Sequence, residues 1–309
     1  MIDMSPRLKG FIYGVVTSVT FGLIPLFTLP LMREGMLSDS ILFYRFFVST
    51  IALGLVMLIK HESFSISLRD LPIIFVLALF YTASALFLLY GYEVMGAGVA
   101  TTIHFTYPVF VTLLMLILFR EKVSLVTMLA ILLAIGGVAK LSLHGTTLRL
   151  NPTGVIAVLL SALGYASYII AVNKSRLKNL HSRKLAFYVF AFTMLVFFIK
   201  DTAGNGIQPI PDLGSAVNII LLAVAPTVIS NITLLLAVRN IGGTLTSILG
   251  ALEPVTAVCI GALVFSEAFT WSEFIGIVLI LTAVVLIILN RGIQSNLTVL
   301  LKRIRPRHS

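Results

Sequence analysis

Apolar residues run without interruption for about twenty positions at a time along this chain, and short polar segments separate the runs. A strand of a membrane β-barrel would instead alternate apolar and polar residues over about ten positions. Because a helix needs about 20 apolar residues to cross the hydrocarbon layer, the pattern predicts an all-α membrane protein. Its ten predicted transmembrane helices cover residues 9–30, 41–59, 71–92, 98–119, 124–141, 153–173, 183–199, 214–238, 244–265 and 271–290.

Composition agrees with this pattern, since 59% of the 309 residues are hydrophobic and only 11% are charged. A soluble domain has no use for so much apolar surface, and we expect none here. The first apolar run lacks a small-residue cleavage site, so we expect it to be a retained span. The single cysteine, Cys259, lies within a predicted span, which excludes an intramolecular disulfide and a cysteine-based metal site. No metal or cofactor is expected.

Basic residues are concentrated in alternate connections between the spans. With a cytoplasmic N-terminus, the inner segments hold 17 of the 22 Lys and Arg residues, the outer segments hold four, and Arg45 lies inside a span. This positive-inside distribution predicts that both termini are cytoplasmic. It also accounts for the net charge of +10 without a nucleic-acid partner. The basic tail at 293–309 is predicted to lie on the anionic inner surface of the bilayer.

The two halves of the chain are similar to each other in their glycines, prolines, aromatics and glutamates. Each half holds five predicted spans, and because five is odd, the second half enters the membrane from the opposite side. The sequence therefore predicts two inverted-topology five-helix repeats, at 1–145 and 146–292, an architecture that suits transport by alternating access. Matching positions are Gly96 and Gly242, Pro108 and Pro254, and Glu121 and Glu267 at an offset of 146, with Gly10 and Gly154, Phe43 and Phe187, Tyr44 and Tyr188, and Phe46 and Phe190 at an offset of 144.

A carboxylate and a proline, Glu253 and Pro254, lie near the middle of the ninth predicted span. An ionisable group at that depth usually faces the bundle interior or a water-filled cavity, which makes Glu253 the candidate coupling residue. Pro254 removes a backbone donor and is expected to kink the helix beside that carboxylate. The alternative is a structural kink in which protonated Glu253 hydrogen-bonds a neighbouring helix.

Polar and aromatic residues form stripes at helical spacing on the first, third, fourth, sixth, eighth and ninth spans. Such stripes either line a central site or make hydrogen bonds between helices, and the sequence leaves both interpretations open. The substrate-binding candidates are Tyr13, Tyr44, Arg45, Tyr81, His104, Tyr107, Tyr165, Tyr168 and Asn231. The helix-kink candidates are Pro25, Pro108, Pro226 and Pro254.

Arg45 and His104 are the candidates with cationic or proton-donating side chains. Arg45 lies near the outer end of the second span, so its guanidinium either reaches the membrane interface or points inward and binds an anionic group. His104 is either a hydrogen-bonded structural residue or part of a site. If both side chains point inward, they form a patch that fits an amino-acid carboxylate, because arginine offers a planar bidentate fork.

The chain resembles EamA-type members of the drug/metabolite transporter superfamily. The resemblance is carried by Leu252-Glu253-Pro254-Val255, Phe265-Ser266-Glu267, Gly276 and Leu279-Ile280, and in the first half by Tyr107-Pro108-Val109 and Phe119-Arg120-Glu121. It implies a secondary carrier that works by alternating access, commonly exporting amino acids or other small metabolites across a bacterial inner membrane. Two residues depart from the family pattern: Tyr107 stands where many relatives have a glutamate, and Ser266 stands where a glycine usually precedes the glutamate.

The leading prediction is a secondary-active exporter of small amphipathic metabolites, above all amino acids or related compounds. Its partners would be the small-molecule substrate and the lipid bilayer, and a homodimer is left open because the plain fifth span can pack on another subunit. One alternative is an importer or exchanger of sugars, nucleotide-linked sugars or phosphorylated metabolites, which would need more buried cations than Arg45 supplies. Another is a membrane enzyme or receptor. The sequence has no Walker loop, HExxH motif or nucleophile elbow, so no catalytic residues are proposed.

Overall fold

The computed structural model describes residues 5–121, 123–142, 151–264, 271–272 and 274–286. Helices and short connections make up this part of the chain, which confirms the predicted all-α fold there. Three features singled out in the sequence, Phe265, Glu267 and the basic tail at 293–309, lie outside the described residues.

Helices follow one another closely through both halves of the chain. The first half contains α1 (Pro6–Phe21), α2 (Ile24–Arg33), α3 (Ser38–Ile59), α4 (Leu71–Met95), α5 (Ala97–His104), α6 (Tyr107–Phe119) and α7 (Leu125–Ser142). The second half contains α8 (Pro152–Lys174), a 3₁₀ turn (Arg176–Asn179), α9 (Ser182–Ala203), α10 (Leu213–Ala223), a π-helical segment (Val224–Ile229), α11 (Ser230–Ile241), α12 (Gly243–Leu249) and α13 (Leu252–Val264). A further apolar helix, α14, covers Phe274–Leu286.

Within the described ranges, six helical segments are long and apolar enough to cross a membrane. They are Pro6–Arg33, Ser38–Ile59, Leu71–Met95, Pro152–Lys174, Ser182–Ala203 and Leu213–Ile241. Shorter apolar helices at Tyr107–Phe119, Leu125–Lys140 and Phe274–Leu286 coincide with parts of the predicted fourth, fifth and tenth spans. The total of ten spans and the cytoplasmic placement of both termini stay predictions.

Four of the predicted spans are interrupted along their length. The first span is α1 and α2, the fourth is α5 and α6, and the ninth is α12 and α13, while a π-helical segment divides the eighth. Each interruption contains a proline or comes shortly before one. Proline explains this location because it lacks the N–H that would bond to the carbonyl four residues back.

Two glycines start the short helices α5 and α12 at matching places in the two halves. Gly96 has φ 82° and ψ 155°, and Gly242, at an offset of 146 in the sequence, has φ 84° and ψ 165°. A side chain would strain this backbone conformation, which glycine adopts freely. The recurrence of these two glycines therefore reflects the same sharp entry into a short helix in both halves.

Equivalent helix pairs use equivalent hydrogen bonds. Where α4 packs on α8, Ser161 Oγ donates to the Ser84 carbonyl at 2.6 Å. Where α1 packs on α11, Thr17 Oγ1 donates to the Ser230 carbonyl at 3.3 Å. Thr17 corresponds to Ser161 at the sequence offset of 144, and Ser84 corresponds to Ser230 at 146. The same interhelical contact is thus made once in each pair.

The third large interface pairs α3 with α9. At each end of it, a tyrosine hydroxyl donates a hydrogen bond to a carbonyl of a nearby loop. At one end Tyr44 Oη donates to the Gln208 carbonyl at 2.8 Å. At the other, Tyr188 Oη donates to the Phe64 carbonyl at 2.6 Å. Between them, the rings of Phe46 and a phenylalanine of α9 lie 5.7 Å apart. These contacts hold α3, which carries Arg45, against the second half of the chain.

Ion pairs also fasten the two ends of this interface. Glu62, just after α3, pairs with Arg183 at the start of α9, and Asp39 at the start of α3 pairs with Lys200 near the end of α9. The Arg183 guanidinium, hydrogen-bonded to the Glu62 carboxylate, holds the pKa of that carboxyl below its usual value. The α3–α9 pair is therefore fixed by opposite charges at each end.

Large apolar side chains cover the outside of the bundle. Ile59 is 76% exposed, Ile117 68% and Leu132 66%. A soluble protein rarely leaves so many large apolar residues in contact with water. Together with the six long apolar segments, this surface identifies a multi-pass membrane protein.

Candidate functional site

Two small adjoining cavities lie inside the bundle where the interrupted helices meet. The first, here the Glu253 cavity, is lined by Phe21, Gly22, Ile24, Pro25, Leu88, Tyr92, Thr101, His104 and Glu253. The second, the Arg45 cavity, is lined by Phe21, Ile24, Arg45, Tyr81, Ser84, Ala85, Leu88, Leu89, His104 and Tyr165. Each has a volume of about 20 Å³, room for a water molecule but not for a metabolite. The structure therefore shows this region closed.

Arg45 is a buried cation whose outer nitrogens are left for a ligand. Its side chain is only 3% exposed, and Nε donates to Thr227 Oγ1 at 2.7 Å. The hydrogen bonds and ion pairs in the described part of the chain include none from its two Nη atoms, and its guanidinium carbon lies 5.3 Å from the centroid of the Phe46 ring. The guanidinium therefore points inward rather than to the membrane interface. Thr227 holds the guanidinium at Nε, and the two Nη atoms are left to bind another group.

The π-helical segment of the eighth span supplies the partner that holds Arg45. Thr227 Oγ1 donates to the Leu222 carbonyl at 2.7 Å, five residues earlier, and so presents its oxygen lone pairs to the arginine. Pro226, inside the same segment, cannot make the regular helical hydrogen bond. The helix defect and the arginine anchor are thus parts of one local arrangement.

Glu253 is a buried carboxyl group at the interruption of the ninth span. It is 8% exposed and lies in the first turn of α13, where its backbone N–H donates to the Gly250 carbonyl at 2.9 Å. Tyr107 Oη donates to Glu253 Oε1 at 3.3 Å. No ion pair in the described part of the chain involves Glu253. The sequence presented two alternatives for Glu253, a place on a cavity wall and a hydrogen bond to a neighbouring helix. The structure shows both.

Aromatic rings form one wall beside these two charged side chains. The ring of Tyr165 lies 4.8 Å from that of Tyr107, 5.6 Å from that of Phe21 and 5.7 Å from that of His104, measured between centroids. Rings at these separations attract one another in edge or tilted geometries. The wall gives an apolar surface next to Arg45, which suits a ligand with an anionic end and an apolar body.

His104 borders both cavities and is tied to two other helices. Its Nδ1 lies 3.0 Å from Ser161 Oγ on α8, and Ser161 Oγ donates to the Ser84 carbonyl on α4. The imidazole is 4% exposed. It ends α5, directly before the interruption of the fourth span, so its position depends on that break.

The structure separates the predicted binding residues into two groups. Arg45, Tyr81, His104 and Tyr165 line the Arg45 cavity, and Tyr107 reaches the Glu253 cavity through its hydrogen bond to Glu253. The other four do not line either cavity. Tyr13 is half-buried on α1, Tyr44 binds the Gln208 carbonyl, and Tyr168 and Asn231 form a hydrogen bond of 3.2 Å with each other.

Sequence reasoning missed Tyr92, Leu88 and Phe21, which all line the cavities. Tyr92 Oη lies 3.3 Å from Thr101 Oγ1, so it adds a hydroxyl pair to the Glu253 cavity. A signal was present, because Ser84, Leu88 and Tyr92 follow one another at intervals of four on α4. Extending the polar stripe of α4 by two turns would have included Leu88 and Tyr92.

The predicted kink prolines all lie at interruptions rather than within bent continuous helices. Pro25 and Pro108 occupy the first turns of α2 and α6, and Pro254 lies in the first turn of α13. Pro226 lies in the π-helical segment. A proline in the first turn of a helix costs no hydrogen bond, because an N–H group at that position would have no acceptor within the helix.

Comparison with known proteins places this arrangement in a family. The sequence profile described as the EamA-like transporter family matches residues 8–143 and again residues 152–289. The chain belongs to the EamA-like transporter family. The two EamA-like matches cover separate halves of the chain, which fits the similarity between the halves seen in the sequence.

The chain is also similar to a curated relative and to a solved structure. The chain is 27% identical over 197 residues to "Uncharacterized transporter sll1319" of Synechocystis sp., a match that covers 62% of this chain and 58% of that relative. The chain thus spans less than two thirds of the relative's length. It is also similar to a solved structure titled "Crystal structure of protein", with a TM-score of 0.79, 16% identity, and coverage of 93% of this chain and 99% of the other. At that identity the likeness shows the fold alone.

Proposed function

We propose that this protein is a secondary-active transporter that exports amino acids or related small amphipathic metabolites across the inner (plasma) membrane. The observation that carries this proposal is the inward-facing guanidinium fork of Arg45 in a cavity with an aromatic wall. An α-carboxylate accepts two parallel hydrogen bonds from such a fork. The apolar body of an aromatic or branched amino acid would pack on Tyr165 and Phe21.

Alternating access fits the arrangement of the two halves. Under this proposal residues 1–145 and 146–292 are inverted-topology repeats, both termini are cytoplasmic, and the site lies between the repeats. The closed cavities then correspond to a state in which neither side has full access, and movement at the interruptions of the first, fourth, eighth and ninth spans would open them. Glu253 would bind and release the coupling proton, because it is a buried carboxyl group without an ion pair in the described structure.

A transporter of phosphorylated metabolites or nucleotide-linked sugars is less well supported. A phosphate group carries more charge than a carboxylate, and phosphate sites use several basic side chains. Among the buried residues that the structure describes, Arg45 is the one arginine or lysine. The cavity is therefore better matched to a single carboxylate.

A flux experiment in proteoliposomes tests the proposal. Labelled amino acids would be offered to wild type and to Arg45→Lys, and the apparent Km would be determined for each. We expect Lys to raise Km about tenfold or more with the protein still folded, since an ammonium cannot reproduce two parallel hydrogen bonds. The matched control is Arg239→Lys, because Arg239 binds the Leu180 carbonyl and Ser182 and lines neither cavity. Equal Km values for wild type and Arg45→Lys would refute the carboxylate site.

A further inference from the structure

The hydrogen bonds around Ser161 determine which nitrogen of His104 carries a proton. A serine hydroxyl has one hydrogen. Ser161 Oγ lies 2.6 Å from the Ser84 carbonyl oxygen, which can only accept, so that hydrogen is committed there. Toward His104 Nδ1, at 3.0 Å, the serine oxygen must therefore accept. It follows that Nδ1 of His104 carries a hydrogen and donates it to Ser161.

The second nitrogen of His104 is then a hydrogen-bond acceptor on a side chain that lines both cavities. A charged imidazolium would be a second buried cation on the Arg45 cavity, and no carboxylate in the described structure forms an ion pair with it. Burying an unpaired charge is costly, so the neutral form is favoured. In the neutral Nδ1–H tautomer, Nε2 has a lone pair and no hydrogen. No hydrogen bond within the described residues uses Nε2.

We propose that His104 Nε2 accepts a hydrogen bond from the substrate, and that Ser161 is the positioning residue that keeps this nitrogen unprotonated. The inference rests on the proposed function, in which Arg45 binds the substrate carboxylate. His104 and Arg45 line the same cavity, so the substrate must present an N–H or O–H donor beside its carboxylate. The α-ammonium group of an amino acid meets this requirement. Simple carboxylic acids without such a donor are rejected because they leave Nε2 unpaired.

Two substitutions separate this role from a purely structural one. The amide nitrogen of asparagine can take the place of Nδ1 and keep the bond to Ser161, but asparagine has no atom at the position of Nε2. Glutamine is longer and places its amide oxygen near the position of Nε2, while it gives up the bond to Ser161. If His104 binds the substrate, His104→Gln should keep more of the preference for amino acids than His104→Asn. If His104 is only structural, His104→Asn should keep more of it.

The binding experiment uses matched pairs of probes and purified full-length protein. The pairs are L-phenylalanine with 3-phenylpropanoate, and L-leucine with 4-methylpentanoate, which differ only in the ammonium group. We expect wild type and His104→Gln to bind the amino acid of a pair about tenfold more tightly than its partner, and His104→Asn to lose that preference. Retention of the preference in His104→Asn together with its loss in His104→Gln would overturn the assignment of Nε2.

The tautomer itself can be measured without any substrate. In protein labelled with ¹⁵N-histidine, we expect the His104 signal, identified by its absence from His104→Gln, to show a protonated Nδ1 and an unprotonated Nε2. Ser161→Ala should convert part of the population to the other tautomer, and Ser161→Thr should retain the wild-type form. The control is Thr17→Val, which removes the equivalent hydroxyl at the α1–α11 interface and leaves His104 untouched. A protonated Nε2 in wild type would overturn the inference.

The two experiments also separate this inference from the proposed function. If wild type binds neither member of either pair, the amino-acid site is wrong, and with it the substrate half of the inference. A second outcome is that wild type binds the amino acids and His104→Asn keeps the same preference for them over the acids without an ammonium group. The proposed function then stands, and the role of His104 does not.

Discussion

Tyr107 Oη donates a 3.3 Å hydrogen bond to Glu253 Oε1, and the two residues occupy equivalent positions in the two halves of the chain, 146 residues apart. Each is in the first turn of the helix that follows the interruption of its span. A contact between equivalent positions lies where the two halves meet. A movement that separates the two interruptions would lengthen or break this hydrogen bond.

The first prediction concerns the hydroxyl of Tyr107. Tyr107→Phe should leave the Glu253 carboxyl buried without its partner, at a cost of about 1–3 kcal/mol, and lower the thermal stability of the closed state. Substrate flux should change at the same time, because the bond joins the two moving halves. Tyr168→Phe is the control, since it loses a buried hydroxyl bonded to Asn231 but lies outside the cavities. Thermal unfolding and initial flux rates measure the two effects, and equal flux in Tyr107→Phe and wild type would contradict the prediction.

The second prediction concerns the close approach of Tyr107 to Gly250. A Cβ atom at Gly250 would lie 1.6 Å from Tyr107 Oη, which is impossible without movement of the ring. Gly250→Ala should therefore push Tyr107 away from Glu253 and impair transport at least as much as Tyr107→Phe. Gly136→Ala is the control: its Cβ meets nothing within 4 Å, and alanine should stabilise α7 by roughly 0.5–1 kcal/mol. Normal transport by Gly250→Ala would show that the approach of Tyr107 is not needed.

The third prediction concerns coupling through Glu253. Glu253→Gln keeps the shape of the side chain and an oxygen that can accept from Tyr107, but it cannot bind and release a proton. We expect the variant to lose flux driven by a proton gradient while it continues to exchange substrate across the membrane. Counterflow and gradient-driven uptake, measured on the same vesicles, separate the two activities. Unchanged gradient-driven uptake would exclude Glu253 as the coupling group.

Depth and residue type were enough to find the ionisable residues of the candidate site. Glu253, Arg45 and His104 are costly inside a bilayer, so each was a candidate for the site, although the sequence also allowed Arg45 to reach the membrane interface. All three line a cavity. The prolines also indicated where spans would be disturbed, and the interruptions of the first, fourth, eighth and ninth spans lie at or just before them. What the sequence could predict, therefore, was the set of residues that cannot face lipid.

Periodicity could not say which protein-facing residues line a cavity. A stripe on one helix identifies the face turned inward, but the partner of each side chain depends on how distant segments align. Tyr168 and Asn231 were expected at the substrate site and instead bond to each other. Tyr44 bonds to the loop at Gln208, and apolar Phe21, which no polar stripe marks, lines both cavities. These pairings depend on tertiary structure, which local spacing does not encode.

The last prediction concerns the ion pair between Glu62 and Arg183, which fastens one end of the α3–α9 interface. The guanidinium of Arg183 lowers the pKa of Glu62 below its usual value, so the carboxylate is favoured in the folded protein. A lowered folded-state pKa means that the pair contributes its full stability above the ordinary pKa of glutamate, about 4.3, and loses it as the pH falls through the folded-state pKa.

Glu62→Gln should therefore lower the unfolding temperature at pH 7 by about 2 °C, as expected for a partly exposed pair worth about 1 kcal/mol. The difference between variant and wild type should shrink as the pH falls below the ordinary pKa of glutamate, about 4.3, and disappear below the lowered folded-state pKa, where folded wild type also loses the charge. Glu34→Gln is the control, because Glu34 is exposed and forms none of the ion pairs found in the described structure. Thermal unfolding of the three proteins across this pH range provides the test. A difference that persists unchanged at the lowest pH would mean that Glu62 stabilises the interface by packing and not by its charge.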